Sequence, residues 1–78
     1  MLDTKYTNIG HPADRVMEEC SELIQAICKA RRFGWTSCHP DRATTNMQDV
    51  RSELLDVREA LSNLETLLIK MESACADL

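Results

Sequence analysis

The sequence predicts an all-α fold, a helical hairpin of two main helices that assembles between chains into a four-helix bundle. Three observations lead there. Apolar residues recur at three- and four-residue steps along two long stretches, the signature of amphipathic helices. One breaker-containing segment separates those stretches. And 78 residues with only two glycines, two prolines and three aromatics offer little of what a sheet-rich fold uses. A single domain over residues 1–78 is expected.

The first helix is expected over about 12–33. Pro12 suits an opening position, where its missing N–H would have no partner in any case. Val16, Cys20, Leu23, Ile27 and Ala30 then form a stripe that Met17 and Ile24 widen. A basic last turn of Lys29, Arg31 and Arg32 complements the helix dipole, and Gly34 ends the pattern. Residues 34–44 read as a loop, with Pro40 as breaker and His39 a loop residue. Thr45 and Gln48 are spaced as a capping box for a second helix over about 45–75. Its seam runs Met47, Val50, Leu54, Val57, Leu61, Leu64, Leu68, Met71 and Cys75, the alternation of three and four that marks packing along the whole length. One hairpin leaves most of both stripes in water. Pairing into a homodimer or homotetramer follows, with a four-helix bundle as the smallest solution.

Composition narrows the function classes. A formal charge of −4 disfavours nucleic acid, which requires a basic face. No apolar run approaches the ~20 residues of a membrane span, and Met1-Leu2-Asp3-Thr4-Lys5-Tyr6 lacks the apolar stretch of a signal peptide. A cytoplasmic location is the expectation. Cys20, Cys28, Cys38 and Cys75 include no Cys-x-x-Cys pair and read as reduced, structural thiols.

The acids are the informative feature. Glu19 and Glu22 lie three apart on one helix and Glu53 and Asp56 three apart on the other, so each pair shares a face. Each acid adjoins a seam residue: Cys20, Leu23, Leu54 or Val57. Glu19-x-x-Glu22-x-x-x-Ala26-x-x-Lys29 matches Glu53-x-x-Asp56-x-x-x-Ala60-x-x-Asn63 at a shift of 34 residues. Seven residues bring a helix back to within about 20° of its starting direction. Lys29 therefore stands over Glu22 and Asn63 over Asp56, with a small alanine between. Four carboxylates at a helix interface repel and are costly to desolvate. With no histidine among them, oxygen-only ligation points to a hard cation such as Mg²⁺. A solvated acidic face is the plain alternative.

With those residues in view, the chain resembles the MazG-type family of all-α nucleoside triphosphate pyrophosphohydrolases, in particular its short, single-domain, often phage-encoded members. Glu18-Glu19-Cys20-Ser21-Glu22-Leu23 and Glu53-Leu54-Leu55-Asp56-Val57 are similar to its two motifs, and the likeness spans about residues 11–68. It implies Mg²⁺-dependent hydrolysis between the α- and β-phosphates, giving a nucleoside monophosphate and pyrophosphate, with Mn²⁺ a substitute ion. Glu19, Glu22, Glu53 and Asp56 are then the metal ligands, and Glu18 an acid supporting them. Lys29 and Asn63 fall where the family meets phosphates and substrate. The thirty residues between Glu22 and Glu53 exceed the usual spacer. A deoxynucleotide substrate, with a purine base, is the lean from this resemblance.

Roles beyond the motifs follow from residue chemistry. Lys29, with Arg32 as a further candidate, would offset triphosphate charge, while Arg31-Arg32 reads first as a solvated helix end and second as a phosphate clamp. Glu22 is taken as the general base. Trp35 stands evenly between stacking on the base and packing, while Phe33 reads first as a core residue and second as a stacking partner. His11 reads as a cap or an exposed residue, and Arg15, Arg51 and Arg58 as partners of acids on their own helices. Two other classes compete with the enzyme: a non-catalytic helical-hairpin dimerisation module, and a nucleotide-binding sensor without turnover.

Overall fold

A computed structural model describes residues 11–38 and 40–76; the N-terminal reading and His39 lie outside the described residues. Two helices make up the fold, α1 over Pro12–Phe33 and α2 over Asn46–Ala76.

Local chemistry sets their ends. His11 is the N-cap of α1: its Nδ1 accepts from the Ala13 N–H at 3.1 Å, with Pro12 at the first helical position. Gly34 closes the helix at φ 104° and donates its N–H to the Ala30 carbonyl at 2.9 Å. A side chain there would be strained by the left-handed φ, and its Cβ would stand 3.0 Å from Ser37 Oγ. At the start of α2 the capping box is formed in both directions. Gln48 N–H donates to Thr45 Oγ1 at 3.1 Å, and Thr45 N–H donates to Gln48 Oε1 at 2.9 Å, satisfying two donors the helix cannot.

The elbow between the helices is tied at several points. Ser37 Oγ donates to the Phe33 carbonyl at 2.7 Å, and the Asn46 and Met47 N–H groups donate to the Ser37 and Trp35 carbonyls, each at 2.8 Å. Cys38 and Thr45 form an isolated antiparallel bridge. Asn46 is buried, and its Nδ2 donates to the Gly34 carbonyl at 2.9 Å. Beyond this elbow the helices run antiparallel: Glu22 meets Glu53 midway, and Arg15 shares a cavity with Asn63 at the far end.

Packing follows a different line from the expected seam. On α2 the residues turned inward are Asn46, Val50, Glu53, Val57, Ala60, Leu64 and Leu67, all buried or half-buried. Val50, Val57 and Leu64 belong to the seam; Met47, Leu54, Leu61, Leu68 and Met71 do not turn in and stay exposed. On α1, Val16, Cys20, Leu23, Ile27 and Ala30 are covered, whereas Met17 and Ile24 are exposed. Phe33 is 63% exposed, so it is no core residue: it follows the last covered turn and the hairpin has nothing to lay over it. The core proper is Ala30, Val57 and Ala60, and no large side chain among the described residues is fully buried. The radius of gyration of 17.0 Å exceeds the roughly 11–12 Å of a compact chain this size. No helix among the described residues is long and apolar enough to cross a membrane. All four cysteines are free thiols.

Candidate metal centre

Three of the expected acids converge where the helices meet. Glu19, Glu22 and Glu53 each offer a carboxylate oxygen, and these atoms lie within 4.8 Å of one another. Glu19 comes from the covered face of α1 and is only 6% exposed. Glu22, three residues on, sits at the exposed edge, and Glu53 enters half-buried from α2. Alanines make this approach possible: Ala26 and Ala60, each seven residues beyond an acid, keep the helix line narrow.

The electrostatics are unbalanced. Arg15 Nη2 reaches Glu19 Oε1 at 3.0 Å and Arg15 Nη1 reaches Glu18 Oε2 at 3.4 Å. Yet Oε2 of Glu19 and Oε2 of Glu53 are buried with no donor among the described residues, a costly condition for a carboxylate. Burial pushes the Glu19 carboxyl above the ordinary glutamate range, and the neighbouring Glu22 charge pushes it further; Arg15 opposes the rise and Asp56 adds to it. A small hard cation bound by oxygen would answer both unpartnered atoms, so the three carboxylates are a donor set that could hold a metal ion.

The remaining expected residues are distributed around this cluster. Asp56 is exposed and outside the three-acid group, although its charge is felt at Glu19. It lines a small cavity with Arg15, Glu59, Ala60 and Asn63, so Asn63 stands with Asp56 and away from Lys29. Glu18 is exposed and held by Arg15. Arg32 lies 5.9 Å over the Phe33 ring, a cation–π distance. Trp35 lines a third cavity with Met47, Leu54, Leu55, Arg51 and Arg58, apart from the acids.

Lys29 borders the groove that matters most. This opening of about 450 Å³ runs beside Glu22 and Glu53 and is also lined by Ala26, Arg42, Asn46 and Asp49. Arg42 comes from the elbow. Its Nη1 donates to Asp49 Oδ2 at 3.5 Å, while Thr44 Oγ1 donates to Asp49 Oδ1 at 2.7 Å. The groove is thus lined by three acids, Glu22, Asp49 and Glu53, and by two cations, Lys29 and Arg42, a mixture that can meet a metal-bound polyanion. Asn46, Asp49 and Arg42 are not signalled by the acid motifs. The first two were detectable as residues seven and four before Glu53, on its helix face; Arg42 carries no such signal, because turn geometry places it. No family model, no curated protein and no solved structure matches the chain.

Proposed function

We propose that the chain is a Mg²⁺-dependent nucleoside triphosphate pyrophosphohydrolase, converting a nucleoside or deoxynucleoside triphosphate and water to the monophosphate and pyrophosphate. The observation that carries the reading is the meeting of Glu19, Glu22 and Glu53 within 4.8 Å, with two buried carboxylate oxygens lacking donors. The resemblance of the two acidic motifs supplies the reaction, and a purine deoxynucleotide is the proposed substrate.

Glu19, Glu22 and Glu53 would hold the ion, with Asp56 outside the group and felt at Glu19 through its charge. Held there, such an ion would supply charge neutralisation for the phosphates and activation of water for attack. The rest falls to the chain. Glu22, the most exposed of the three acids, takes the proton of the attacking water. Lys29 and Arg42 bind the phosphates along the groove, and Asp49 with Thr44 positions Arg42. Arg15 opposes the rise that burial and Glu22 impose on the Glu19 carboxyl. Four free thiols and a nucleotide substrate fit the cytoplasm, or a host cytoplasm for a phage-encoded chain.

A screen of all NTPs and dNTPs for Mg²⁺-dependent pyrophosphate release tests the reading. Release from at least one substrate, abolished by chelation, is expected; no release from any removes it. The exposed Leu54, Leu61 and Leu68 favour self-association as homodimer or homotetramer. They also support the second reading, a non-catalytic dimerisation module. That reading requires stable assembly without metal and only a small stability change in Glu19→Gln.

A further inference from the structure

Two cavities share one wall. The groove beside the acids and a neighbouring cavity of about 380 Å³ are both lined by Lys29 and Asn46. Their other walls differ in kind. Glu22, Glu53 and Arg42 make the first charged, whereas among the described residues the second adds to Lys29 and Asn46 only Phe33, Ser37, Cys38 and Pro40.

The second cavity is a built feature of the elbow. Ser37 is fixed to Phe33 by its Oγ and to Gly34 by its N–H, and Asn46 Nδ2 is fixed to the Gly34 carbonyl. Asn46 thereby keeps its Oδ1 as the acceptor end of a buried amide. Phe33 contributes little to the core, yet it lines this pocket, with the Arg32 guanidinium 5.9 Å from its ring. Along α1 it stands one turn past Lys29 and about three turns past Glu22, roughly 6 and 16 Å by helical rise. A ligand with a charged end and a flat, uncharged end would therefore lie along one helix.

We propose that the elbow cavity is the nucleobase subsite, in which the base stacks on Phe33 while the phosphates occupy the acid-lined groove. Lys29, common to both walls, neutralises the phosphate nearest the sugar. The inference rests on the pyrophosphohydrolase reading, and it moves base recognition away from Trp35 and Asn63, which line other cavities.

Calorimetry on the full chain with Mg²⁺ and two probes tests it. One probe is an α,β-methylene deoxyadenosine triphosphate, which resists cleavage; the other is inorganic tripolyphosphate, which lacks a base. Phe33→Ala is expected to weaken the nucleotide analogue about tenfold or more, the size of one lost base–aromatic stack, and to leave tripolyphosphate binding unchanged. Phe33→Trp restores the analogue, and Lys29→Gln weakens both probes. Since Phe33 is exposed, truncating it opens no core, and unchanged helicity by circular dichroism verifies this. Equal losses for both probes, or no loss for either, overturn the subsite while wild-type pyrophosphate release still upholds the enzyme. A wild type that binds neither probe overturns both.

Discussion

Helix α2 carries two lines of side chains one position apart. Asn46, Glu53, Ala60 and Leu67 are buried or half-buried against α1, whereas Met47, Leu54, Leu61 and Leu68 remain exposed. A hairpin optimised to stand alone would reverse them, with leucines inside and the amide and carboxylate in water. Small and polar residues at the helix contact give up apolar burial. In return they leave space for three carboxylates between the helices. The leucine line leaves the larger apolar surface exposed. Under the proposed reading, the two lines would divide chemistry from assembly.

The sharpest way to break that division is to mutate one line at a time. Glu53→Gln is expected to abolish pyrophosphate release while helicity and sedimentation behaviour stay those of the wild type. Activity retained by this variant would remove the proposed centre. Leu61→Gln, on the other line, is expected to shift the assembly toward monomer in analytical ultracentrifugation. An unchanged sedimentation coefficient would show that the exposed leucines do not carry association.

Smaller effects sharpen the comparison. Val57 belongs to both the seam and the inner line and is buried, so Val57→Ala should cost about 1–2 kcal/mol in urea unfolding. Thr45→Ala removes half of the capping box and should cost about 1 kcal/mol. The least effect is expected from pH. The Glu19 carboxyl is raised in the folded, metal-free chain, so the native state binds more protons than the unfolded one. Its contribution is therefore lost as pH climbs from the ordinary glutamate range through the raised value. In chelator, wild type should lose melting temperature relative to Glu19→Gln over that window, and Mg²⁺ should abolish the difference. Parallel melting curves with and without Mg²⁺ would argue against a cation there.

Much of the fold was legible because helix ends are written in local chemistry. Pro12, Gly34 and the Thr45–Gln48 pair act on their immediate backbone and need no tertiary knowledge. The three convergent acids were legible for a related reason: i,i+3 spacing puts a pair on one face whatever the partner. The rotation of α2 was not. A stripe built from alternating steps of three and four spans two adjacent faces, and periodicity cannot tell which one a short partner helix will cover. That rotation brings Glu53 inward, leaves Asp56 exposed, and strands Asn63 with Asp56 in its own cavity. Arg42 and the elbow cavity were hidden because a loop's path depends on hydrogen bonds between residues with no periodic relation.

The elbow also governs the acids at a distance. Small residues such as Ala26, Ala30 and Ala60 offer a smooth track along which one helix could slide past the other. A slip of a single turn is about 5.4 Å, more than the 4.8 Å spread of the three carboxylate oxygens. The bonds from Ser37 and Asn46 to the end of α1 act as a stop at one end of that track. A mutation at Ser37 would thus reach the acids as a loss of register, without altering any group beside them, and one at Asn46 would add a change in the groove wall.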